Sequence, residues 1–173
     1  GLVYLKNELI DKAKKLFDRA ITVNPKYIDS YNNLGKTFFD LEDLDKAFNF
    51  FKKAYKINKK FSKTLINIGN YLSLRDKNLF AIRAYEKALS YDPKNTEIFS
   101  NISIAYARIN DFDNAKKYYD EAIINNVVNP SLDLSLFYLY AYKNQFDKAW
   151  NFFESRKGTS KFLSSKNKSI IEK

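Results

Sequence analysis

Apolar and polar positions between residues 28 and 61 alternate at helical spacing twice over. Tyr31, Leu34, Gly35 and Phe38 fall on one helical face, a polar stretch runs from Asp40 to Asp45, and Ala47, Phe51 and Ala54 then mark a second face. This predicts a helix, a turn and a helix. The pattern repeats: Ala13, Ala47, Ala81, Ala115 and Ala149 stand 34 residues apart, and Ala20, Ala54, Ala88 and Ala122 follow seven residues after the first four. An aromatic column of Phe17, Phe51, Tyr85, Tyr119 and Phe153 runs between them. Nine of the thirteen alanines lie in the two columns, so the period is architectural. A fixed period of this length predicts an all-α solenoid, in which each helical pair buries its apolar face only against its neighbours.

The size pattern agrees. Small residues such as Gly35, Ala47 and Ala54 let helix backbones approach, while Tyr31, Phe38 and Phe51 fill the space between pairs. Asn24-Pro25 and Asp92-Pro93 end helices, because proline lacks an amide donor and biases the residue before it away from helix. The unit from 62 to 95 repeats the set with Leu65, Ile68, Gly69, Leu72, Ala81, Tyr85, Ala88 and Pro93, and that from 96 to 129 with Phe99, Ile102, Ser103, Tyr106, Ala115, Tyr119 and Ala122. Gly1 and Tyr4 occupy the same columns ahead of Ala13, so the chain is expected to open inside a partial unit, 1–27. A degenerate unit over 130–155 carries Asp133 at the bulky first position and Phe137 in the small column, where a ring should force the helices apart. Pro130, later than the other junction prolines, suggests an altered junction before it, and residues 156–173 are expected to form a basic tail or cap.

These residues resemble the tetratricopeptide repeat, W-x2-L-G-x2-Y followed by A-x3-F and a closing proline, over about residues 1 to 155. The resemblance implies a right-handed superhelix of about four and a half units, with no catalytic activity, that binds an extended peptide or partner protein as a scaffold or assembly factor. Two other readings stay open: the substrate-targeting array of a larger enzyme resembling a protein glycosyltransferase, and a bacterial envelope-associated factor. The compartment is accordingly open between cytoplasm and envelope.

In the family the first helix of each pair lines a concave groove. The resemblance therefore places Asn33, Asn67 and Asn101, again 34 apart, in that groove, followed by Ser135 in the same column. A carboxamide offers an acceptor and donors, which suits an extended peptide backbone. The same resemblance adds Lys36, Asn70, Arg108, Tyr138 and Tyr142 as peptide-binding candidates, with Asn32, Asp40, Lys63, Glu97 and Leu134 beside them. Tyr138 and Tyr142 could equally pack against a cap. The family's chaperone-binding clamp would need lysine where Asn32 and Glu97 stand and arginine at Asn101, so a chaperone's carboxylate tail is not an expected ligand.

Composition narrows the chemistry. Histidine and cysteine are absent, which removes the commonest general base, thiolate catalysis and ordinary zinc sites, and no cofactor or metal is expected. Glu42, Asp43 and Asp45 are better explained by the inter-helix turn, where carboxylates suit a helix start, than by a metal. The net charge of +10 raises nucleic acid or anionic lipid as partners. Half of it lies in residues 156–173, and the aromatics occupy core columns and form no stacking platform, so nucleic-acid binding is not expected. A weak contact of the tail with anionic lipid is the alternative that the charge leaves open.

Overall fold

The computed structural model describes residues 2–125, 127 and 130–155. These form helices α1 (Leu2–Val23), α2 (Ile28–Asp40), α3 (Leu44–Ile57), α4 (Ser62–Leu74), α5 (Asn78–Tyr91), α6 (Glu97–Arg108), α7 (Phe112–Ile124), α8 (Pro130–Tyr142) and α9 (Phe146–Ser155). The tail at 156–173, including Arg156, lies outside the described residues. Helices α2/α3, α4/α5, α6/α7 and α8/α9 pack as antiparallel pairs, and each pair stacks on the next. The fold is all-α.

The alanine columns are the seams. Ala47, Ala54, Ala81, Ala88, Ala115 and Ala122 are all fully buried. Phe51 lies against Gly35 so closely that a β-carbon there would fall 2.3 Å from its ring, and Tyr85 lies against Gly69 in the same way, at 2.4 Å. Ser103 takes the place of these glycines in α6, and its hydroxyl donates to the carbonyl of Ala115 at 2.7 Å.

One backbone device joins the two helices of every pair. Glu42, Asp76, Asn110 and Asn144, 34 residues apart, adopt positive φ of 56–62°. At each, the amide of the next residue reaches back five positions, Asp43 to Phe38, Lys77 to Leu72, Asp111 to Tyr106 and Gln145 to Tyr140, at 2.9–3.0 Å. With the bonds from Glu42 to Phe39 and its equivalents, this is a left-handed helix cap that satisfies otherwise orphaned carbonyls. Asp43 and Asp111 then cap the second helices by accepting from the amides of Lys46 and Asn114. The acidic cluster thus has local work: Glu42 is the left-handed residue, Asp43 the cap, and Asp45 pairs with Arg75 at 3.3 Å.

The opening unit keeps the side-chain columns without the turn. Residues 2–23 form one continuous helix, with no turn between the columns of Tyr4 and Ala13. Glu8 matches Glu42, the left-handed residue one repeat later, but Leu9 stands where Asp43 and Asp111 cap their helices and offers no acceptor for a second helix start. At the other end α8 packs on α6 and less extensively on α7, while residues 126, 128 and 129 of the junction before Pro130 lie outside the described residues.

Candidate functional site

The first helices of successive pairs lie side by side, α2 against α4 and α4 against α6, and present one face together. On α4, Lys63, Ile66, Asn67 and Asn70 recur at spacings of three and one, which puts them on a single helical stripe. Glu97 and Asn101 on α6, and Lys36 and Asp40 on α2, are each one turn apart. These residues line a groove of about 780 Å³, which the chain segments entering α4 and α6 complete with Lys60, Phe61, Tyr91 and Asp92.

The asparagine column does not form three equal rungs. Asn32, expected in the groove, is fully buried: its side-chain amide donates to Thr64 Oγ1 at 2.9 Å and to the carbonyl of Ile28 at 3.3 Å. This corrects the sequence expectation. The carboxamide turns inward because Thr64 of the neighbouring helix offers a buried partner, and a buried polar group needs one. Behind the groove, Asn67 Nδ2 donates to Asn32 Oδ1 at 3.2 Å, which fixes the Asn67 side chain and leaves its oxygen and second N–H to the groove. Asn101 has no hydrogen-bonding partner for its carboxamide among the described residues. Asn33 does not line the groove, and its oxygen accepts from Lys63 Nζ at 3.3 Å.

Asn70 lines the groove while accepting a 2.7 Å hydrogen bond from the Tyr85 hydroxyl. Burial pushes that phenol well above the ordinary tyrosine value, so it stays a donor and fixes Asn70 from behind. Arg108 is elsewhere: its guanidinium donates to the Ser73 carbonyl at 3.0 Å and to the Ser73 hydroxyl at 2.8 Å. It clasps the carboxyl end of α4, where the exposed carbonyls favour a cation. Of the sequence candidates, Lys36, Asn67, Asn70 and Asn101 therefore share the groove, while Asn33 and Arg108 are committed to neighbouring helices. The side chains of Tyr138 and Tyr142 lie outside the described residues. Phe61, Lys60 and Asp92 were missed because they come from the connections between pairs, and Tyr91 because it ends a second helix. The recurring Asn58 and Asp92 at the ends of α3 and α5 were the available signal.

Among the described residues no group of three or more carboxylates, histidines or cysteines could hold a metal ion. No described helix is long and apolar enough to cross a membrane.

A family model described as tetratricopeptide repeat matches residues 1–27, 28–61 and 96–123, just over half of the chain. No curated protein sequence matches. Among solved structures, PilW, titled a widely conserved type IV pilus biogenesis factor, superposes with a TM-score of 0.82 at 20% identity over 94% of this chain and 76% of its own. MamA gives 0.71 at 18% identity over 92% and 90%. YrrB, titled a TPR protein with an unusual peptide-binding site, gives 0.68 at 18% identity over 88% and 78%. At such identities the likeness carries the fold, the superhelical stacking of antiparallel helix pairs.

Proposed function

The chain belongs to the tetratricopeptide repeat family, whose repeats generally bind proteins or peptides, and on that premise we propose that it is a non-catalytic scaffold gripping an extended peptide segment of a partner protein in the groove across α2, α4 and α6. One observation carries the reading. Asn67 and Asn101, at equivalent positions of consecutive repeats, open into the same groove with carboxamide groups to spare, and Asn67 and Asn70 are held in place from behind. Amide side chains prearranged in this way match the alternating donors and acceptors of a peptide backbone with little regard to its side chains. Phe61, Ile66 and Tyr91 supply apolar surface between them.

The test is selection of binders from a random peptide library, followed by titration calorimetry with Asn67→Ala and Asn101→Ala variants. Each substitution should weaken binding by roughly 0.5–1.5 kcal/mol, the net value of such hydrogen bonds. Helical circular dichroism should be retained. A folded double variant that binds selected peptides with unchanged affinity would place binding outside this groove.

A further inference from the structure

The side chains that the two chain junctions turn to the groove carry opposite charge, while Lys94, in the column of Lys60, keeps its positive charge outside the lining. Lys60 precedes α4 and Lys63 lies in its first turn, while one repeat later Asp92 ends α5 and Glu97 opens α6, and all four line the same groove. Lys63 and Glu97 occupy the same column of successive repeats, as do Asn58 and Asp92. The same turn closes at both places, Phe61 on Asn58 and Asn95 on Asp92, so the turn does not demand the reversal of sign. Lys60 and Glu97 are exposed and have no ion-pair partner among the described residues, while Lys63, half exposed, shares its three donors with Asn33 Oδ1 at 3.3 Å and Asp29 at 3.6 Å. The other groove charges, Lys36 and Asp40, stand one turn apart on α2 and offset each other.

The spacing sets what such a groove accepts. Packed neighbours such as α4 and α6 lie roughly 8–10 Å apart, and an extended chain advances about 3.3 Å per residue, so a bound segment crosses from one junction to the next in about three residues. We infer, on the basis of the peptide-binding reading above, that the groove selects segments carrying an acidic and a basic side chain about two to four residues apart. The acid faces Lys60 and Lys63, and the base faces Asp92 and Glu97. A uniformly acidic or basic segment gains at one junction and is repelled at the other, and this repulsion discriminates more than either exposed pair could alone.

The experiment uses three pools of capped synthetic peptides of about twelve residues, a length that spans such a groove. All are randomised except for a central Glu and Lys three positions apart, two Glu, or two Lys. The mixed-charge pool should be retained about tenfold more than either other pool at low salt, and the preference should fade as salt is raised. Glu97→Lys should shift the preference to the two-Glu pool. Equal retention of the three pools, with retention lost in the Asn67→Ala/Asn101→Ala variant, overturns the charge selection and leaves the peptide reading standing. No retention of any pool by the native chain overturns both.

Discussion

The α2/α3 pair and the α8/α9 pair are built on the same 34-residue frame and differ at one decisive position. In α2 that position is Gly35, and the Phe51 ring from α3 occupies the space a side chain would take. In α8 it is Phe137, which lines a cavity of about 400 Å³ together with Phe146, Asp147 and Trp150 of α9. Phe146 and Trp150 are left largely exposed. The comparison teaches that the seam between paired helices is set by a single small-residue column. Where it is kept, an aromatic ring closes the pair, and where Phe137 replaces it, that ring borders a solvent-open pocket against α9.

Moving the last pair's residue into the central one should have the largest effect. Gly35→Phe must displace Phe51 or part α2 from α3, and a loss of about 3 kcal/mol or more is expected by urea denaturation. A loss below about 1 kcal/mol would show that the glycine column does not set the seam. The reciprocal change should cost less. Phe137→Ala should destabilise by about 1–2 kcal/mol, below the range for a fully packed phenylalanine, because Phe137 is only partly buried and already borders a cavity.

Alkaline titration probes the pairs that lie between these two. Burial, and then the nearby Glu86 carboxylate, push Tyr106 up to about 12 from an ordinary value of 10, and burial raises Tyr85 further. Between these values the folded chain holds phenolic protons that the unfolded chain releases, so this stabilisation is complete below pH 10 and is lost as the pH rises through about 12. Thermal melts should fall across that window, and Tyr106→Phe should lessen the fall. An identical slope in that variant would assign the alkaline loss to other groups.

The smallest effect concerns the shared turn. Glu42, Asp76, Asn110 and Asn144 all adopt positive φ, a conformation that asparagine and aspartate tolerate better than glutamate. Glu42→Gly should therefore stabilise by about 0.5–1 kcal/mol and Asn110→Gly by less, measurable as a rise in Tm. Equal shifts would mean that the turns are indifferent to their side chains.

Much of this architecture was legible because a repeat reports the same contact several times. Ala47, Ala81 and Ala115 recur as small residues, and a seam between helices is what requires smallness at each copy. The positive-φ column was equally periodic but hidden. Asp76, Asn110 and Asn144 are of the types that tolerate such a backbone, but Asn and Asp are frequent throughout the chain and Glu42 breaks the set, so the column does not stand out. In the first unit Tyr4 and Ala13 match their columns, yet Leu2–Val23 runs through as one helix, because side-chain columns do not by themselves specify a turn.

For the groove, the sequence determined that Asn67 and Asn70 share one helical stripe, and its resemblance to the family put them with Lys36 and Asn101 on the lining side. It did not determine which polar groups are free to bind. Asn32 is spent on Thr64, Asn33 on Lys63 and Arg108 on Ser73, and each of these partners lies about one repeat away in sequence. Only the stacking of one repeat on the next decided that, because a hydrogen bond between helices depends on distances that no single helix contains.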